Sequence, residues 1–426
     1  MGQKRKQNQS KIWTQLQKGI LQVFSASVIN KIVAMFSNMV LTRMLAQNEY
    51  GIWSYVLNFY SYAHLIMGLG LVAGALQFGA ENRDTPEENR FYRYCAMTGL
   101  VANFAIIVLF ISASFTGILS IRQAGVYIRV YLPIILLEYL FDLLMTILRC
   151  KNKFSIYSKL LTLNTVLVAM CTCFGAVWGV GGVVAGKYLA AMVSLLITIC
   201  ATYQIVCCVL RAEKLNFAQK KELWHYSIFN GISSVLSRFL YLIDVSMIAV
   251  LLGSTTELAI YKVATLIPNA LTFIPGSVII CILPDIVANN RNLPWLKRNI
   301  RKTFQCLLAV NVMLSLLIIL FAPLIIRIVS GEQYLSSVEP FRILVAGYCI
   351  SGTFRSLSVN VLAALRAVRF NVICGLLMCV ADIGLNLLFI PQFGMTGAAY
   401  ATFGGEFIGS VLSFGYLICV LRKRSL

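Results

Sequence analysis

Along most of this chain the apolar positions follow neither a helical stripe nor strand alternation. They form unbroken runs of roughly 20 residues or more, the length a helix needs to cross a bilayer. The runs lie at 18–41, 51–79, 93–116, 124–148, 157–178, 182–210, 226–252, 258–288, 303–328, 338–363, 370–391 and 396–421. They predict twelve membrane-spanning helices, because inside hydrocarbon only helices and closed barrels satisfy their own backbone, and the period-two pattern of a barrel is missing. The second and eighth runs exceed what a bilayer requires. The eighth carries Pro268 and Pro275, so a tilt or break is expected there.

Composition agrees with the pattern. Of 426 residues 59% are hydrophobic and 12% charged, and the mean hydropathy is +0.80, which leaves no stretch for a soluble domain. The formal charge of +20 is unevenly placed. Most Lys and Arg sit in the first tail, in the connections after even-numbered runs and in the last residues, whereas the opposite connections hold Arg43, Arg122, Arg129 and Arg327. By the positive-inside rule both termini are expected in the cytoplasm. The excess charge is thereby assigned to topology and to anionic membrane lipids, and nucleic-acid binding is not expected. The first run is too long for a signal-peptide core, so it is expected to stay as the first helix. "MGQKRK" has Lys6 where a myristoylation signal wants Ser or Thr. Thirteen cysteines are scattered without metal or disulfide spacing, and no cofactor is expected.

An internal duplication organises the chain. "NEYGIW" (48–53) matches "TELAIY" (256–261), and "GVGGVVAG" (179–186) matches "GMTGAAYA" (394–401). Each half then holds six helices, an even number, so the two repeats are parallel, with a central cavity expected between two lobes. The expected organisation is a basic tail at 1–17, a first lobe at 18–210, a basic linker at 211–223, a second lobe at 224–421 and a basic tail at 422–426. The expected fold class is an all-α polytopic membrane protein.

Candidate chemistry lies on polar residues inside the runs. In the seventh, Ser234, Ser237, Arg238, Tyr241 and Asp244 share an arc of roughly 120° at helical spacing. In the first, Ser27, Asn30, Lys31, Ser37 and Asn38 do the same, and Lys31 matches Arg238 at the offset that pairs Asn30 with Ser237. A cation at mid-membrane costs about 2.5–3.5 kcal/mol even on mild scales, so it should face a wet cavity or a partner. Lys262, with Thr265, Asn269 and Thr272, and Arg355, with Ser351 and Ser358, are two more deep cations. Together Lys31, Arg238, Lys262 and Arg355 point to a cationic cavity for a phosphate, pyrophosphate or carboxylate, with Asn30, Ser237 and Tyr241 beside them. Five acids also fall within runs: Glu138, Asp142, Asp244, Asp382 and Glu406. They are candidates for a coupling proton or Na⁺, or for counter-ions holding helices together.

"LTRMLAQNEYGIWSYV" (41–56) and "LNLLFIPQFGMTGAAYAT" (385–402) closely resemble the oligosaccharide flippases of polysaccharide assembly, the Wzx-type branch of the multidrug/oligosaccharidyl-lipid/polysaccharide exporters. The resemblance extends over essentially the whole chain. It implies alternating-access transfer of an undecaprenyl-pyrophosphate-linked repeat unit from the cytoplasmic to the outer leaflet of a bacterial plasma membrane, for O-antigen, capsule or exopolysaccharide assembly. It also implies the lipid-linked oligosaccharide and membrane lipids as partners, with H⁺ or Na⁺ and the polymerase machinery as further candidates. The rivals are a multidrug and toxin extruder of the same fold, which Asp244 keeps open, and a lipid II flippase, which typically has more helices. An enzyme is not expected: the outward connections are short, His64 and His225 form no acid/base constellation, and "GKYLA" (186–190) lacks the spacing of a phosphate loop.

Overall fold

The computed structural model describes residue 22 and residues 25–423, apart from 118, 289–291 and 366. The side chains of 229–230, 232–238, 240–241, 280–281, 284–285, 287–288 and 368 are also outside the description. Among the described residues the chain is helical with no strand. It is an all-α polytopic membrane protein.

The elements are α1 (Ser25–Met44), α2 (Gln47–Leu65), α3 (Leu71–Glu81), α4 (Pro86–Phe115), α5 (Ala124–Tyr131), α6 (Ile134–Cys150), α7 (Phe154–Gly175), α8 (Gly179–Ala201), α9 (Tyr203–Arg211), α10 (Phe217–Leu252), α11 (Thr255–Leu271), α12 (Phe273–Ala288), α13 (Leu293–Leu320), α14 (Ala322–Val329), α15 (Val338–Ile350), α16 (Ser356–Ala364), α17 (Val368–Phe393) and α18 (Met395–Lys423). Each expected run corresponds to one helix or to two consecutive ones. The breaks have local causes. Pro133, between α5 and α6, has no N–H to continue the ladder. The eighth run divides at Thr272, between its two prolines.

The second run divides at Met67–Gly70, where Gly68, Leu69 and Gly70 all have positive φ (59°, 50° and 79°). A freed backbone N–H inside hydrocarbon costs several kcal/mol unless it finds an acceptor. Here Gly68 N–H donates to Oδ1 of the buried Asn103 on α4 at 2.9 Å. The ring of Tyr139 packs on Gly68 and Gly99, and its hydroxyl donates to Cys95 O at 2.6 Å.

The chain divides into two compact units, residues 1–45 with 59–235, and residues 46–58 with 236–426. In the first, Leu71, Phe78, Phe91, Tyr92, Leu143 and Ile147 form a core joining α3, α4 and α6, extended by Leu223 of α10. Beside it, the buried Glu88 accepts from Lys151 Nζ at 3.0 Å, Tyr92 Oη at 2.9 Å and Asp84 N at 3.0 Å. In the second, Leu296, Ile300, Leu307, Leu357, Leu362 and Leu417 join α13, α16 and α18.

The duplication is visible in the backbone of both units. Gly179 opens α8 at φ 69°, ψ −159°, and Gly394 precedes α18 at φ 59°, ψ −140°, a region that only glycine enters readily. Three residues on, Gly182 lies against the Gly175 carbonyl and Gly397 against the Phe389 carbonyl, so a Cβ at either would collide with the preceding helix. Small residues let α7–α8 and α17–α18 close into tight hairpins. The buried Asn103 and Asn311 match at offset 208, that of the first repeat pair. Asn311 accepts from Tyr348 Oη at 2.9 Å and donates to Thr353 Oγ1 at 3.1 Å. It thereby pins the π-helical turn Ser351–Arg355 between α15 and α16.

Candidate functional site

Each unit contains a polar cavity. In the second unit a cavity of about 330 Å³ is lined from α10, α11, α12, α15, α16, α17 and α18. The carboxylate of Asp244, 8% exposed, sits at one end. Its Oδ2 accepts from Tyr261 Oη at 2.9 Å and Thr402 Oγ1 at 2.8 Å, and its Oδ1 accepts from Asn386 Nδ2 at 2.9 Å. Asp382, one turn before Asn386 on α17, lines the same wall. This end is a cluster of oxygen donors, the chemistry that hard cations prefer.

The two deep cations of this cavity differ. Nη1 of Arg355 meets both carboxylate oxygens of Glu406, at 3.2 and 3.0 Å, so its charge is matched across α18. The π-turn aims Arg355 at that carboxylate by inserting one extra residue into the helix. Among the described residues Lys262 makes no hydrogen bond or ion pair, and the charge it senses is that of Asp244. Around it the wall is rich in hydroxyls and amides: Thr265, Asn269, Thr272, Ser351, Ser356 and Asn360. The cavity therefore combines two of the candidate cations, Lys262 and Arg355, with three of the candidate acids, Asp244, Asp382 and Glu406.

In the first unit a cavity of about 190 Å³ is lined by His64, Glu138, Asp142, Asn164 and Lys187, with Leu137, Phe141, Val168 and Ala191. Glu138 is its hub. Its Oε1 lies 3.0 Å from Lys187 Nζ, and its Oε2 accepts from Tyr60 Oη at 2.6 Å and lies 3.8 Å from His64 Nε2. The alternation of one helical turn that puts Tyr60 and His64 on the same face of α2, and Glu138 and Asp142 on the same face of α6, was available in the sequence. Lys187 was not singled out. It lies one turn after the glycine-rich start of α8, a position that reads as a helix end until the α7–α8 hairpin carries it to α6.

The remaining sequence candidates are dispersed. Lys31 on α1 is exposed, among Ile29, Ile32, Met35 and Phe36, which are exposed as well. Asn30 is half-buried, and its Oδ1 is buried with no hydrogen-bond partner. Ser37 Oγ lies 3.5 Å from Cys173 Sγ on α7. Arg238, Ser237, Tyr241 and Ser234 belong to α10, but their side chains lie outside the described residues. Among the described residues no three His, Cys, Asp or Glu side chains converge as a metal site, and the described cysteines are free.

The profile of a family described as "polysaccharide biosynthesis protein" matches residues 16–287, more than half of the chain. The chain belongs to that family. Among curated proteins, an uncharacterized membrane protein of Methanocaldococcus jannaschii is 27% identical over 220 residues, 50% of this chain and 43% of that protein. The match thus spans less than half of that relative's length. Among solved structures, the lipid II flippase MurJ in an inward closed conformation superposes with a TM-score of 0.76 at 14% identity, over 95% of this chain and 90% of that one. An inward-facing multidrug resistance MATE transporter of the MOP superfamily gives a TM-score of 0.71 at 13% identity, over 96% and 99%. A MOP superfamily transporter from Pyrococcus furiosus, whose title refers to the reverse polarity of its binding pocket, gives 0.61 at 14%, over 96% of each chain. At these identities the likeness establishes the fold. Family and fold together make the chain a polytopic membrane protein of the polysaccharide biosynthesis family.

Proposed function

We propose that the protein flips a lipid-linked oligosaccharide, its lipid carrier joined to the sugar through pyrophosphate, from the cytoplasmic to the outer leaflet by alternating access. The observation that carries this reading is Lys262. An ammonium with no ion pair among the described residues, in a cavity that also presents hydroxyls and amides, suits an anionic linker flanked by sugar hydroxyls. Arg355, held by Glu406, orients the polar wall and contributes less charge to the ligand. At about 330 Å³ the cavity is near the small end of ligand pockets, so it accepts the head group while the lipid tail remains in the bilayer. Lys31 and Arg238, with Asn30, Ser237 and Tyr241, are assigned to the same passage on their sequence pattern alone. The destination is a surface polysaccharide, and the membrane is a bacterial plasma membrane with both termini cytoplasmic.

The oxygen cluster of Asp244, Asp382, Asn386 and Thr402 is assigned to a coupling cation, Na⁺ or H⁺. Glu406 is assigned as the counter-ion of Arg355. A cation bound beside Asp244 would neutralise the carboxylate that Lys262 senses, which leaves the ammonium to the substrate. Reconstituted vesicles carrying a fluorescent polyprenyl-pyrophosphate-linked sugar test the assignment. Lys262→Met should slow flipping at least tenfold while Lys262→Arg retains most of it. Wild-type flipping rates in Lys262→Met, or export of a lipophilic cation in place of the labelled lipid, would sink the flippase reading in favour of an extruder.

A further inference from the structure

We propose that the first turns of α13 bind phospholipids of net negative charge at one boundary of the bilayer. This inference does not rest on the substrate proposed above. Lys297, Arg298, Arg301 and Lys302 are all exposed, and none of them makes a hydrogen bond or ion pair among the described residues. The sequence has no Asp or Glu between Asp285 and Glu332, so nothing nearby in the chain offsets them. Lys297 with Arg301, and Arg298 with Lys302, lie one helical turn apart, a spacing at which two cations can meet one phosphate. The same face of α13 continues as exposed apolar side chains, Val312, Met313, Leu316, Leu317 and Leu320, the kind of surface that hydrocarbon covers. From Lys302 to Leu320 the helix rises about 27 Å, close to the roughly 30 Å of the hydrocarbon core. With Leu320 at one edge of that core, the four cations stand at the other, level with the headgroup phosphates. Trp295, at the same end, is a residue type that collects at that level. A lipid with an anionic headgroup meets both the cations and the apolar stripe, whereas an acidic soluble protein would meet the cations alone.

The duplication sets this face apart from the general excess of positive charge. Asn103 and Asn311 place α4 and α13 in register at offset 208, and at that offset Pro86 matches Pro294, Arg90 matches Arg298 and Arg93 matches Arg301. The exposed stripe is repeated too, with Phe104, Val108 and Leu109 at the positions of Val312, Leu316 and Leu317. In α4 the protein itself takes both arginines. Arg90 is ion-paired with Glu213, and Arg93 Nη1 donates to Ala212 O, both in the connection between α9 and α10. Where α13 has Lys297 and Lys302, α4 has Asn89 and Tyr94. Tyr94 Oη accepts from Trp224 Nε1 at 3.0 Å, and Lys220 Nζ stands 5.6 Å from the centre of its ring. The first repeat therefore occupies this position with its own chain, and the second adds two cations and leaves all four to an outside ligand. Topology explains why cations lie on this side of both repeats. It does not explain why only the second leaves them bare.

Titration of the full-length protein in detergent with phosphatidylglycerol or phosphatidylcholine, with bound lipid counted by native mass spectrometry, tests the site. The wild type should hold phosphatidylglycerol the more tightly. Joint replacement by Lys297→Gln, Arg298→Gln, Arg301→Gln and Lys302→Gln should cut that preference by at least about tenfold. The milder pair Arg298→Gln with Lys302→Gln should cut it about threefold, and Lys297→Arg with Lys302→Arg should keep it. Lys153→Gln with Lys159→Gln, which removes two exposed cations of the first unit, should also keep it. A wild type without preference, or glutamine variants that retain it, overturns the proposal. An equal loss in the first-unit control overturns it as well, because the attraction would then belong to net charge and to no particular face. Glycerophosphate in large excess should fail to displace the lipid, since it lacks the acyl chains that lie on the apolar stripe. Displacement would make this a free-phosphate site and overturn the lipid assignment. No lipid-linked sugar is present in these titrations, so failure here is separable from failure of the flippase reading.

Discussion

The cavities of the two units start from the same duplicated backbone and end with opposite arrangements of charge. In the first, one carboxylate, Glu138, serves as hub for Lys187, Tyr60 and His64, and the lysine that lines the cavity is committed to it. In the second, the carboxylates are divided. Asp244 is saturated by neutral donors, Glu406 is committed to Arg355, and Lys262 is left facing the cavity. A buried charge that is matched holds helices together, whereas one that is unmatched is available to a ligand and costs stability until the ligand arrives. The first cavity thus has its lysine in an ion pair, whereas Lys262 in the second makes none among the described residues.

The sharpest way to break this contrast is to remove the hub. Glu138→Gln strands Lys187 in the first unit and should cost about 3–5 kcal/mol, read as a large fall in the thermal unfolding midpoint in detergent. The double variant Glu138→Leu with Lys187→Met should regain most of the loss, because neither charge is then left unpaired. In the second unit Glu406→Gln should cost less, about 2–3 kcal/mol, since an amide oxygen still accepts from Arg355. Ala at Gly179 or Gly394 should each cost about 1–3 kcal/mol by forcing a side chain into a glycine-only backbone region. Similar losses at both sites would support their equivalence as repeats. The smallest effect should come from Lys262→Met, within about 0.5 kcal/mol of wild type or slightly stabilising, measured on the same unfolding assay. A loss like that of Glu138→Gln would mean that Lys262 holds helices together as well, and the contrast would collapse.

Much of the fold could be read in the chain itself. Apolar runs, the twin prolines of the eighth run and the duplicated Gly-x-x-Gly all act within a few residues of where they are written, so each appears in the structure as expected. The interruption at Gly68–Gly70 was less legible, because the acceptor that makes it tolerable, Asn103, lies 35 residues away on another helix. The site was legible by residue and not by role. Lys262 and Arg355 look equivalent in sequence, both cations among hydroxyls in apolar runs. Arg355 is matched by a carboxylate 51 residues later, and Lys262 makes no ion pair among the described residues. Glu138 and Asp142 were visible as acids at helical spacing, but Lys187 and His64 gave no sign that they converge on Glu138.

The sequence by itself determined that this is a polytopic helical protein, where its helices run, that its halves are repeats and which ionisable residues fall within the apolar runs. These follow from hydrophobicity and backbone sterics, which depend on neighbours in the chain. Only the tertiary structure decided which of those charges are paired among the described residues. Pairing in a membrane is set by which helix faces meet, and that contact is made between residues tens of positions apart.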